Sequence, residues 1–158
     1  MVWNQYGAGG AGAYEEISDN HRRFQMEARG HAETAFAAGF NVISTWNEIY
    51  DPDGVFDGQT YVCPAFGTYL VNARVYGPGA SGVVQQSLVS VFINGAEYSR
   101  STETYDPSTG YFTSRQVTAI VRMAAGNGMD IRAFTNVATT PVSPTSPPIN
   151  NFSVIRLN

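Results

Sequence analysis

Two stretches of this chain alternate apolar and polar residues over the full length of a strand. In 68–76, Tyr69, Val71, Ala73 and Val75 take every second position. In 114–123, Val117, Ala119, Val121 and Met123 do the same. A period of two places those side chains on one face of an extended chain, and a helix cannot satisfy it.

The rest of the chain from Phe40 onward reads the same way. "FNVISTW" (40–46) is β-branched and aromatic, and "QTYVC" (59–63) follows a glycine turn. "SLVSVFI" (87–93) is apolar on both faces, which predicts a strand covered on both sides. A lone two-sheet sandwich covers one side only, so contact with a second copy is the simplest second cover. Asn94-Gly95 is the strongest hairpin signal. "MDIRAF" (129–134) and "NFSVIRL" (151–157) are further strands, and "FQMEAR" (24–29) alternates ahead of them. Only Glu33 to Ala37 reads as a short helical turn. "GPGASG" (77–82) and "TTPVSPTSPP" (139–148) are connections, since proline lacks the ladder donor. Many short strands separated by turns predict an all-β sandwich.

Residues 1–23 stand apart. "GAGGAGA" (7–13) offers no side chains to a core, and ordering its glycines is entropically costly. The expected organisation is an extended arm, 1–23, and one domain, 24–158. Trp3, Tyr6 and Tyr14 are the arm's aromatic anchors, either for a partner or for the arm's own domain.

Composition narrows the chemistry. The net charge is -4, and all nine basic residues are arginine. Nucleic-acid binding needs concentrated positive charge, and lysine chemistry needs a lysine. No apolar run approaches the roughly 20 residues of a membrane span. No basic, apolar export signal is visible at the N-terminus. The expectation is a protein made in a cytoplasm, with no nucleic-acid or membrane partner.

"YDPDGVF" (50–56) raises the one metal question. Asp51, Asp53 and Asp57 could supply calcium oxygens, but the glutamate and spacing of a dedicated calcium loop are missing. Asp51-Pro52-Asp53-Gly54 also has turn chemistry at each position, and that reading is preferred. His21 and His31 lack the spacing of a metal pair. Cys63, the only cysteine, sits in an apolar strand pattern. "GAGGAG" has neither a preceding strand nor a following lysine, so it is no phosphate loop. Asn151-Phe152-Ser153 forms a glycosylation sequon, but Phe152 is expected in the core. No G-x-S-x-G nucleophile elbow occurs. No catalytic residue, cofactor or metal is therefore assigned. Tyr98, Tyr105, Tyr111 and Phe112 bracket "STETYDPSTGYF" and could stack on sugars; loop packing or subunit contact is the preferred alternative.

Several landmarks resemble the globular-head family of the complement first component (subcomponent q), whose fold is shared with tumour necrosis factor. They are Tyr50-Asp51, then Gly54 and Phe56, then the turn Pro64-Ala65-Phe66-Gly67-Thr68-Tyr69 into a long strand. Asn94-Gly95 resembles the family hairpin. "GNGMD" resembles its glycine-Asp turn, one residue out of step, and Phe152 its last-strand aromatic, although Val154 stands where glycine is common. The resemblance covers 24–158 and implies a ten-stranded jelly roll that assembles as a homotrimer. A phage-encoded member is one form it could take. There is no collagen-like repeat, so the secreted immune role is not implied. The expected function is non-enzymatic: a trimer attached to a larger particle, as a virus or phage capsid decoration (cement) protein associated with the virion. The alternative is a trimeric recognition head for glycan or protein receptors, such as a fibre tip.

Overall fold

The computed structural model describes residues 24–31, 35–79, 82–102, 104–106, 112–139 and 150–157. The arm, and with it Trp3, Tyr6 and Tyr14, lies outside these, as does Tyr111. Every regular element described is a β-strand.

One sheet has five strands in the order β3-β1-β11-β5-β9. These are β3 (Trp46–Tyr50), β1 (Phe24–Gly30), β11 (Asn150–Arg156), β5 (Gly67–Pro78) and β9 (Phe112–Met123). The other runs β2-β10-β6-β7, with β4 on β10 and β8 on β6. Its strands are β2 (Gly39–Val42), β4 (Tyr61–Val62), β6 (Gln85–Ile93), β7 (Ala96–Arg100), β8 (Thr104–Asp106) and β10 (Gly128–Thr135). β7 and β8 both pair with the same side of β6. Between them the Ser101 N–H donates to the Val89 carbonyl at 2.8 Å. They form one interrupted edge, so the eleven segments make the ten-stranded jelly roll.

The alternation in β5 and β9 becomes their pairing. Tyr69 lies opposite Val121, Val71 opposite Ala119 and Ala73 opposite Val117, all facing the core. Phe152 lies between Ala28 and Ala73 on neighbouring strands. Its ring meets Trp46 at 5.8 Å and Phe56 at 5.9 Å.

Three sequence expectations change. "FNVISTW" is two strands rather than one: β2 pairs with β10, and Trp46 begins β3 in the opposite sheet. A β-branched run has no local signal for where a chain crosses between layers. The helical turn expected at Glu33–Ala37 does not form across its described part, 35–37. There the Phe36 N–H donates to Thr139 Oγ1 at 2.7 Å, and the Ala37 N–H to Asn41 Oδ1 at 2.9 Å. These tertiary partners take the donors a helix would use. Third, β6 needs no second copy. Its outward Leu88, Ser90 and Phe92 are already buried within one chain. Phe40 packs on Phe92 and Phe134 at 5.0 and 5.2 Å, and the Arg132 guanidinium lies 4.0 Å over Phe92. Arg132 is held by Asp130 through bonds of 2.6 and 3.1 Å.

The domain has a polarity. β1 starts and β11 finishes at one end, where the Asn94-Gly95 and Gly126 turns also lie. There the Asn94 N–H bonds to Gly128 and the Gly126 N–H to Cys63. At the other end Pro78 faces Phe112 and Gln85 faces Asp106. The twelve residues of β5 separate the two ends by roughly 40 Å.

Tyr61 and Tyr69 are buried, with rings 6.3 Å apart. The Tyr69 hydroxyl donates to the Ala65 carbonyl at 2.6 Å. Burial, then the hydrogen bond with Cys63, pushes Tyr69 up to about 12; burial pushes Tyr61 well above the ordinary range. A raised folded-state pKa gives stability that is intact below the unfolded value, about 10, and lost as pH climbs through the folded one. We expect two of the nine tyrosines to remain protonated beyond about pH 11. Absorbance at 295 nm should show them ionising only as the far-UV signal collapses. All nine titrating together near the ordinary value, with the fold intact, is the contrary result.

Candidate functional site

The aspartates of 51–57 build turns. Asp51 Oδ2 accepts the Phe56 N–H at 2.8 Å, and the Asp51 carbonyl accepts the Gly54 N–H at 3.2 Å. Gly54 adopts a φ of 62°, the left-handed corner this turn requires. Asp57 Oδ1 accepts the Thr60 and Gln59 N–H groups at 2.6 and 2.9 Å. Those bonds, Thr60 first, hold its carboxyl below the ordinary range. Among the described residues no group of three or more His, Cys, Asp or Glu side chains is placed to hold a metal. Cys63 is buried, its thiol donating to the Ala65 carbonyl at 3.0 Å.

The remaining landmarks are structural too. Phe56, Gly67, Tyr69 and Phe152 are buried; Pro64 and Tyr50 lie at the surface. Asn94 and Gly95 have φ of 50° and 79°, the doubly left-handed pair of a tight hairpin.

Of the aromatic residues named as recognition candidates, Tyr98 and Tyr105 lie on different strands. Tyr98 is 52% exposed and lies on β7, between the pairs Ser99–Val91 and Glu97–Phe92. Tyr105 is in β8 opposite Gln86. At the strand rise their backbones stand roughly 18 Å apart. Phe112 opens β9 opposite Pro78.

The two outer faces of the sandwich differ. On the six-stranded sheet the aromatic cluster and the Arg132–Asp130 pair cover β6, as described. Beside them Ser90 Oγ donates to Glu97 Oε1 at 2.7 Å, and Arg100 pairs with Glu97. On the five-stranded sheet an apolar row faces outward instead, half-buried at Ile155 and Leu70 and exposed at Ile120. Ile155 is opposite Leu70, and Leu70 opposite Ile120, on three adjacent strands. Ile120 is 63% exposed. The next row is polar: Ser153, Asn72 and Thr118. Asn72 Oδ1 accepts from Gln116 Nε2 at 3.1 Å.

Sequence reasoning missed this row. Each member occupies the polar phase of its own strand, so no single strand reveals it. Three large aliphatic residues out of phase were the available signal, but joining them needs the register.

No family model matches the chain, and no curated protein matches it in sequence. Solved structures do match. Eiger TNF from S. frugiperda aligns at TM-score 0.56 and 13% identity, over 87% of this chain and 94% of that one. Murine APRIL at pH 5.0 aligns at 0.56 and 14%, over 84% and 98%. The globular domain of zebrafish complement 1qA aligns at 0.54 and 12%, over 85% and 98%. The chain has the jelly-roll fold these structures share.

Proposed function

We propose that this chain is a self-trimerising jelly-roll head that acts by binding rather than by catalysis. The observation that carries the reading is the outward apolar row of half-buried Ile155 and Leu70 and exposed Ile120. An apolar stripe crossing adjacent strands, with a polar row beside it, is what a subunit interface leaves on a lone copy. On the opposite face β6 is already covered from within the chain, though Phe40 and Val42 stay partly exposed there, so the aliphatic row makes the five-stranded face the better candidate for contact with another copy. The fold likeness supports a trimer, as the resemblance to the complement and tumour necrosis factor heads implies.

The finer reading is attachment to a larger particle, with a capsid shell as partner. Both described chain ends, Phe24 and Leu157, leave the sandwich on one side, which suits a head standing on a surface. The recognition-head alternative rests on the exposed Tyr98, whose ring could contact glycan or protein.

Equilibrium sedimentation tests the core proposal. The protein is expected at three times the 17.1 kDa chain mass at micromolar concentration. A single-chain mass there defeats it.

A further inference from the structure

At the end where β1 begins, the five-stranded sheet carries a rim of mixed chemistry. Phe66 is 58% exposed and Leu157 37%. The Arg122 guanidinium stacks 4.9 Å over the Phe66 ring. Arg156 Nη2 donates to the Phe66 carbonyl at 3.0 Å, and the Leu157 N–H to the Thr68 carbonyl at 2.7 Å. The rim is thus an accessible aromatic ring and an aliphatic side chain flanked by two cations. It lies beyond the apolar row, not within it.

We propose that this rim is the docking surface for the chain's own N-terminal segment, residues 1–23. Three observations converge. The first is position: Phe24 lies opposite Ile155, two residues before Leu157, so the segment joins the sandwich beside the rim. Phe66 precedes β5, two strands from β1, a lateral distance of roughly 10 Å. A 23-residue segment extends to about 75 Å, so reach is ample. The second is chemistry: the segment carries Trp3, Tyr6 and Tyr14 together with Glu15, Glu16 and Asp19, whose three carboxylates outnumber the two guanidiniums of Arg22 and Arg23. Aromatic rings suit Phe66 and Leu157, and carboxylates suit Arg122 and Arg156. The third is tethering, which gives a covalently attached segment a high effective concentration over its own rim. In the free protein the leader is therefore parked, and a particle that takes the leader must first displace it. The proposal does not depend on trimer formation.

The full-length chain supplies its own probe. It has two tryptophans; Trp46 is buried, so acrylamide quenching reports Trp3. Trypsin cutting at Arg22 and Arg23 reports how freely the leader moves. Phe66→Ser and Arg122→Glu are each expected to speed cleavage about fivefold, the scale of one lost contact, and to raise quenching in parallel. Both positions are exposed, so melting temperature and sedimenting mass should hold. Glu15→Arg with Glu16→Arg should restore protection to Arg122→Glu. Trp3 quenched as freely as N-acetyltryptophanamide in the parent protein overturns the proposal. So does protection that falls on dilution, which assigns the rim to a neighbouring copy's leader.

Discussion

Ile120→Arg is expected to convert the proposed three-chain assembly into single chains. In one isolated copy Ile120 is 63% exposed, and exposed substitutions usually shift stability by no more than about 0.5 kcal/mol. The far-UV spectrum and melting of the separated chain should therefore stay close to the parent's. In the assembly the same change places a guanidinium in each apolar contact. An unpaired charge in a desolvated interface costs several kcal/mol. At about 1.4 kcal/mol per tenfold change, self-affinity should fall by roughly a thousandfold or more. Val42→Arg is the control, because Val42 is on β2, at the outer surface of the other sheet. Its sedimenting mass should not change. If Ile120→Arg keeps the assembly, or Val42→Arg dissolves it, the contact is not where the outward row lies.

Phe152→Ala is the second large effect, and it acts inside the sandwich. Phe152 is fully buried and bridges Trp46 and Phe56. Its cross-strand neighbours are Ala28 and Ala73. Two alanines cannot swing into the vacated volume, so the cavity persists and its cost adds to the lost transfer energy. About 4 kcal/mol is expected, out of a total that rarely exceeds about 15 kcal/mol for a domain. The measurement belongs in the Ile120→Arg background, where unfolding is not linked to assembly. The denaturant midpoint should drop with its slope unchanged. A loss under about 1.5 kcal/mol means that the surrounding rings refill the space.

Legibility in the sequence followed the range of the interactions. β5 and β9 were readable because alternation is written residue by residue. The turn at Asp51-Pro52-Asp53-Gly54 and the hairpin at Asn94-Gly95 were readable because each is built from contiguous residues of distinctive chemistry. β3 was missed because "NEIY" follows a run already spent on one longer strand, and it is exposed beyond Trp46. The outward cover of β6 was missed for a different reason. Phe40 and Arg132 arrive from strands far away in sequence, and the pattern in 87–93 shows only that a cover exists. The outward row is the extreme case, since it exists only after three strands are set in register. Tyr98 and Tyr105 are close in the sequence, yet β7 and β8 lie end to end along β6 and hold their backbones apart.

The separation of the described chain ends from Pro78 and Gln85 makes the fold a vectorial display platform. A tag or cargo joined after Leu157 emerges beside Phe24, while a group attached at Pro78 or Gln85 sits at the opposite end. The same molecule can thus carry an anchor and an epitope with the thickness of the sandwich as insulation between them.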